Sequence, residues 1–155
     1  MDMQAIDSPL GKISVRFDDN RLCQIEINQQ LSDKNQAEPA MMERVRTELA
    51  HYFRDRHFNF SIPVQLNGTD FQQRVWQALC EIPAGSTVSY GELAEKLHSS
   101  PRAIGNACRA NPVPIIIPCH RVVAKNGIGG YVGKTSGRQL AIKRWLLEHE
   151  GVNIN

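Results

Sequence analysis

From Ile6 to Ile27 the chain alternates between apolar and polar side chains. Ile13, Val15 and Phe17 are separated by Ser14 and Arg16, and the rhythm resumes from Leu22 to Ile27 after Asp18-Asp19-Asn20. A period of two belongs to half-buried strands, and Ser8-Pro9-Leu10-Gly11 and Asp18-Asp19-Asn20 have the composition of turns. The pattern predicts an antiparallel meander. Polar residues from Gln29 to Glu38 predict a loop. Met41, Val45, Leu49 and Tyr52-Phe53 then fall on one face of a helix.

The texture changes at Leu66-Asn67-Gly68, which sets the expected boundary between an N-terminal domain over 1–68 and a C-terminal domain over 69–155. Thr69 with Gln72 has the spacing of a capping box, opening a helix with Phe71, Val75, Trp76 and Leu79 that stops before Pro83-Ala84-Gly85. Ser89 with Glu92 repeats that signal before Leu93 and Leu97. Ser100 then caps a helix with Pro101 at its first position. Two short capped helices across a tight turn predict a helix-turn-helix. Helix pairs also occur in proteins that bind nothing. The unusual feature is the second helix, whose small residues Ala103, Gly105 and Ala107 lie between Arg102 and Arg109. Small side chains permit close approach, and arginines supply phosphate or base contacts. Gly127-Ile128-Gly129-Gly130-Tyr131-Val132-Gly133 reads as a flexible cover over a pocket, with Tyr131 as its apolar face. It lacks the Gly-Lys-Ser/Thr register of a phosphate loop. Ser136 with Gln139 predicts the cap of the last helix, which ends at Gly151 in a left-handed conformation.

Charge changes the picture. The net charge is only +2, but residues 1–68 carry 8 basic and 10 acidic side chains, whereas 69–155 carry 10 basic and 6 acidic. No Asp or Glu occurs between Lys96 and Leu147, a span with nine Lys and Arg. That is the electrostatic footprint of a polyanion partner, since ordinary solvated surfaces intersperse both signs. An apolar content of 41% supports a core and argues against disorder. No apolar run approaches the ~18 residues of a membrane span. Met1-Asp2-Met3-Gln4 lacks the layout of a secretory signal, and Cys23, Cys80, Cys108 and Cys119 show no paired spacing. A reduced, cytoplasmic setting is expected.

The richest chemistry lies in Pro118-Cys119-His120-Arg121-Val122-Val123, fed by Val113-Pro114-Ile115-Ile116-Ile117. Pro114 and Pro118 bar a helix interior and fix the backbone that presents the thiol. Cationic neighbours favour a thiolate, so Cys119 beside His120 and Arg121 is expected to have a lowered pKa. Taken alone, a Cys-His pair is more often structural than catalytic. His51, His57 and Cys23 have no ligand spacing.

These residues resemble a family. Asn111-Pro112-Val113-Pro114, Ile117-Pro118-Cys119-His120-Arg121-Val122-Val123, the Gly-Tyr loop and Trp145-Leu146-Leu147-Glu148-His149-Glu150-Gly151 are similar to the O6-alkylguanine-DNA alkyltransferases, or methylated-DNA–protein-cysteine methyltransferases. The likeness is strong over 69–155, whereas the N-terminal segment agrees in size and strand–helix order. It implies an α/β fold class: a small N-terminal ribonuclease H-like α/β domain and a helical C-terminal domain with the helix-turn-helix. It also implies irreversible transfer of an alkyl group from the guanine oxygen, and from O4-alkylthymine, to Cys119. A thiolate is the soft nucleophile that attack on an sp³ carbon requires.

The other roles come from the same likeness. His120 activates Cys119 through a water and Glu150 orients His120, although by sequence alone Glu150 is equally a plain surface carboxylate. Tyr90 donates a proton to the departing base, where a tyrosine's default role is packing. Asn111 braces the helix-turn-helix against the active-site turn. Val122, Tyr131 and Pro114 frame the base. Arg102 takes the space of a base flipped out of the duplex, Ala103 permits approach to the minor groove, and Arg109 contacts phosphate. The partner is alkylated double-stranded DNA, met by a monomer with no cofactor and no membrane. Val132 stands where many members have serine, which puts one pocket hydrogen bond in doubt. Cys23 lacks the companion cysteine of members that bind zinc, so no metal is expected.

Three other readings compete. A non-catalytic module that recognises alkylated DNA has tryptophan in place of the cysteine, and Cys119 speaks against it. A cysteine hydrolase needs an oxyanion hole, and its Cys and His usually lie far apart in sequence. A zinc module is weakest, because adjacent Cys119 and His120 do not readily chelate one tetrahedral ion.

Overall fold

The computed structural model describes residues 5–29, 38–129 and 137–154. The chain divides into two compact units, Met1–Asn67 and Gly68–Asn155.

In the first unit, β1 (Ala5–Ser8), β2 (Gly11–Asp18) and β3 (Arg21–Ile27) form an antiparallel sheet in the order β1-β2-β3. Ile13 pairs with Ile6 on one side and Ile27 on the other, so the apolar positions align across the strands. Asp19 and Asn20 turn the chain in left-handed conformation (φ 50° and 61°), which short polar side chains tolerate. The alternation is not strict, because Ser14 is buried along with Ile13 and Val15 on the central strand. Helix α1 (Pro39–Arg54) buries Val45, Leu49 and Tyr52. It also buries Glu48, whose carboxylate accepts from the Ser61 amide at 2.8 Å and pairs with Arg44 at 3.2 Å. Most of the predicted loop, residues 30–37, lies outside the described residues.

The second unit is helical and positions the site. Helix α2 (Asp70–Cys80) starts at the Thr69–Gln72 capping box and buries Val75, Trp76, Ala78 and Leu79, with Phe71 only half-buried. The two-residue strand β4 (Val88–Ser89) leads into α3 (Tyr90–Lys96), opened by the Ser89–Glu92 capping box. The turn after α3 carries His98 at φ 55°, closed by Ser99 N–H on Ala94 O at 2.8 Å. That is a left-handed helix cap without glycine. Ser100 Oγ accepts from Ala103 N–H at 3.1 Å and opens α4 (Pro101–Arg109). Trp76 Nε1 donates to Ala107 O at 2.9 Å and ties α2 to α4. Strand β5 (Val122–Val123) runs parallel to β4, pairing Val88 with Val122 and Ser89 with Val123. This pairing joins the start of the helix-turn-helix to the segment that follows Cys119.

The last helix, α5 (Arg138–His149), buries Ile142, Lys143, Leu146 and Leu147. It opens one residue later than its capping signal predicts: Gly137, at φ 81°, is the N-cap and makes no side-chain cap bond. Ser136 lies outside the described residues. At the other end, Gly151 (φ 88°) bonds Glu148 O at 3.0 Å and Val152 bonds Leu147 O at 2.9 Å. Those bonds satisfy the terminal carbonyls and hold Glu150 as the C-cap. Among the described residues no helix is long and apolar enough to cross a membrane, and no cluster of three or more His, Cys, Asp or Glu is placed to hold a metal.

Candidate active site

Cys119 sits in a tightly folded loop rather than on a long element. Ile117 N–H reaches back to Val113 O at 3.0 Å, and Cys119 N–H to Ile117 O at 2.8 Å across Pro118 (φ −82°, ψ 66°). That dihedral pair is an inverse γ-turn, for which the proline ring already holds φ. Ile115 stands at φ 77°, a conformation that costs a β-branched residue energy and that the surrounding structure must hold in place. Asn111 fastens the loop from inside: Nδ2 donates to Ile117 O at 2.8 Å and Oδ1 accepts from Val113 N–H at 3.0 Å. Cys119, His120 and Arg121 then form one 3₁₀ turn.

Behind this turn lies a buried charge network. Glu150 Oε2 accepts from His120 Nε2 at 2.8 Å and from Arg121 Nη2 at 2.8 Å, while Oε1 accepts from Arg121 Nε at 2.9 Å. Arg121 Nη1 donates to Ile82 O at 2.5 Å. His120 and Glu150 side chains are both 0% exposed. A carboxylate held by a bidentate arginine acts as an acceptor, so the His120 proton sits on Nε2 and the lone pair on Nδ1. Nδ1 is buried with no hydrogen-bond partner from the protein. Burial holds the His120 pKa below its ordinary value, against the opposing pull of Glu150. Burial thus favours the neutral imidazole.

The thiol does not match its sequence expectation. Burial pushes the Cys119 pKa up, and Asn111, Lys143 and the local backbone only partly counter it. Arg121 is committed to Glu150 and Ile82, and the cation that favours the thiolate is Lys143 of α5. Lys143 is fully buried, with Nζ donating to Val122 O at 2.7 Å. Burial lowers its pKa to about 8. It stands 24 positions after Cys119 with no short motif linking the two, and sequence reasoning missed it. The one available signal was a lysine seven residues before Glu150, on the same side of a helix.

Tyr90, the first residue of α3, lies at this site with Lys143 Nζ 5.7 Å from its ring centroid. Burial raises its pKa to about 12, so it keeps its proton. Pro114 and Val122 are buried within the same loop, and Tyr131 lies outside the described residues, as does Val132.

On α4 the residues divide by face. Arg102, Asn106 and Arg109 are exposed, and a Cβ on Gly105 would meet nothing within 4 Å. Ala103 is half-buried beside them. Ala107 does not belong to this face: it is buried, with its carbonyl on Trp76, so its small size serves helix packing.

Two known domains match the chain. The 6-O-methylguanine DNA methyltransferase DNA-binding domain matches residues 70–152, and the ribonuclease-like domain of the same enzymes matches residues 3–66. The chain belongs to the 6-O-methylguanine DNA methyltransferase family. A methylated-DNA–protein-cysteine methyltransferase of Saccharolobus solfataricus is 37% identical over 147 residues, covering 95% of this chain and 93% of that protein. A relative of the same description from Metallosphaera sedula is 36% identical over 149 residues, covering 93% of this chain and 89% of its own length. The crystal structure of Mycobacterium tuberculosis OGT in complex with DNA superposes with a TM-score of 0.82 at 36% identity, covering 96% of this chain and 92% of that one. The fold class is accordingly that of the family, a small ribonuclease-like α/β domain followed by a helical domain with a helix-turn-helix.

Proposed function

We propose that this protein repairs alkylated DNA by moving the alkyl group of O6-alkylguanine, and of O4-alkylthymine, irreversibly onto Cys119. The observation that carries the reading is the buried Glu150–His120 pair beside the cysteine turn, which leaves Nδ1 of a neutral imidazole without a protein partner.

In this reading Nδ1 takes the thiol proton through a bridging water. The sulfur attacks the alkyl carbon, the S–C bond forms as the C–O bond breaks, and the electron pair leaves with the base. Over the whole reaction the thiol proton ends on guanine. Tyr90, a phenol that holds its proton to about pH 12, supplies a hydrogen bond to the negative charge growing on the base. Asn111 acts by fixing the turn and by favouring the thiolate. Val122, Pro114 and Tyr131 frame the base. A thioether has no ordinary route back to a thiol, so each molecule acts once, without a cofactor.

The target oxygen is inaccessible inside a duplex, so the base is flipped out. Arg102 fills the vacated space, Ala103 and Gly105 let α4 approach the minor groove, and Arg109 contacts phosphate. The residues over 69–155 do the binding and the chemistry. The protein works as a monomer on double-stranded DNA in the cytoplasm. A non-catalytic recognition module is the second reading, and the retained Cys119 weighs against it.

The test is a titration. Increasing protein is added to a fixed amount of duplex with one O6-methylguanine, and remaining lesion is counted by nucleoside mass spectrometry. One-for-one depletion that stops when the protein is spent supports the reading, with Cys119→Ser inactive but still bound to the duplex. Turnover beyond one lesion per protein, or removal by Cys119→Ser, contradicts it.

A further inference from the structure

Three polar side chains of α4 have no partner within the protein. Arg102, Asn106 and Arg109 are exposed, and among the described residues none of them makes a hydrogen bond or an ion pair through its side chain. The Asn106 carbonyl accepts from Ala110 N–H at 3.1 Å and continues the helix, but its carboxamide is free. Spacings of four and three residues set the three side chains on one face. Asn106 stands about 6 Å along the axis from Arg102 and about 4.5 Å from Arg109. The space beside it is open, since a Cβ on Gly105 would meet nothing within 4 Å. An exposed asparagine is ordinarily just solvated. This one stands between two arginines, within the residues that match a DNA-binding domain.

Guanidinium and carboxamide offer a duplex different things. A guanidinium only donates, so Arg102 and Arg109 suit phosphates and base acceptors. Asn106 donates from Nδ2 and accepts at Oδ1. The exposed residues of α4 are Pro101, Arg102, Asn106 and Arg109, and of these Asn106 alone has a side chain that accepts. In the minor groove, A·T pairs present acceptors only, in either orientation. The guanine 2-amino group is the donor that sets a G·C pair apart. Only an acceptor can sense that group. The short Asn106 side chain also stays close to the helix backbone, which suits the floor of a groove flanked by the longer arginines.

We infer that Asn106 is a specificity-determining residue, its Oδ1 accepting from the 2-amino group of a guanine in the minor groove beside the lesion. The inference rests on the alkyl-transfer reading, in which α4 enters that groove and Arg102 takes the place of the flipped base. The offset of about 6 Å from Arg102 compares with a rise of about 3.4 Å per base pair, so the guanine lies one or two pairs from the lesion. A G·C pair at that position is favoured over A·T. The two arginines add affinity without making this distinction.

The experiment takes two readings on one set of duplexes: affinity by fluorescence anisotropy, and the rate of methyl transfer from a single O6-methylguanine. Each of the two positions on either side of the lesion carries G·C, inosine·C or A·T in turn. Inosine lacks only the 2-amino group, so the major-groove edge is unchanged. It also pairs more weakly, and Asn106→Ala on the same duplexes measures that contribution separately. At one position the guanine-to-inosine ratio of wild type should exceed that of Asn106→Ala by about fivefold, the worth of one hydrogen bond. Asn106→Gln, which keeps the carboxamide, should retain part of the preference. The melting temperature of Asn106→Ala should match wild type, because the side chain has no partner in the protein. Equal ratios in wild type and Asn106→Ala at every position overturn the inference. So does a preference disturbed by 7-deazaguanine, altered only in the major groove, and not by inosine. An Asn106-dependent preference in binding, with no methyl transfer by wild type, upholds the inference and counts against the alkyl-transfer reading.

Discussion

Glu150 binds a histidine and an arginine with the same buried carboxylate, and its removal has two separable consequences. In Glu150→Gln the amide keeps the shape but loses the charge that holds Arg121 and orients His120. Breaking a buried pair by removing one partner costs about 3–5 kcal/mol, because the other charge is left uncompensated. Chemical denaturation of Glu150→Gln should show that loss. Its methyl-transfer rate should fall by about 10²–10⁴, the range for losing a positioned base. A stable variant with normal transfer would remove Glu150 from the site. His120 makes a second prediction. Its folded pKa is lowered, so as pH falls below about 6.5 the unfolded chain takes up a proton that the folded chain refuses. Stability should then drop by about 1.4 kcal/mol per pH unit until the folded pKa is reached. Urea denaturation between pH 7 and 5 measures this slope, and His120→Asn should show a shallower one.

Helix ends carry much of the organisation that brings these residues together. Ser100 caps α4 with a 3.1 Å bond to Ala103 N–H, and Ser100→Ala should cost about 1 kcal/mol in a denaturant titration. A loss near zero would show that α4 is held by packing alone. Capping is also where sequence and structure agree best. Thr69–Gln72, Ser89–Glu92, Ser100–Pro101 and Gly151 act within a few residues of themselves, so spacing alone reveals them. The cap of α5 is the exception, with Gly137 taking the position adjacent to the predicted Ser136. What spacing could not reveal depends on contacts across the fold. Ala107 resembles its small neighbours in sequence, but the Trp76 bond turns it inward. The Cys119 environment is hidden from the sequence for the same reason. Neighbours along the chain, His120 and Arg121, are drawn to Glu150, while burial and the distant Lys143 act on the sulfur.

At the scale of the molecule the asymmetry of charge meets the exposed face of α4. The stretch from Lys96 to Leu147, free of acids, includes Arg102 and Arg109, both exposed. Contacts to phosphate release counterions, so affinity should fall steeply with salt. Arg109→Ala should weaken binding to damaged and intact duplexes alike and make the slope of log affinity against log salt shallower by about 0.9. An unchanged slope, measured by fluorescence anisotropy from low to physiological salt, would place Arg109 away from the phosphates. Binding brings the lesion to the protein, but the central claim concerns a bond to one sulfur. The most direct measurement is peptide-resolved mass spectrometry of the protein after mixing with an oligonucleotide that carries one O6-methylguanine. The account predicts a gain of one methylene on the Cys119 peptide, equal in amount to the lesion lost. An unmodified Cys119 beside a repaired oligonucleotide, or a methyl group on another residue, would contradict it.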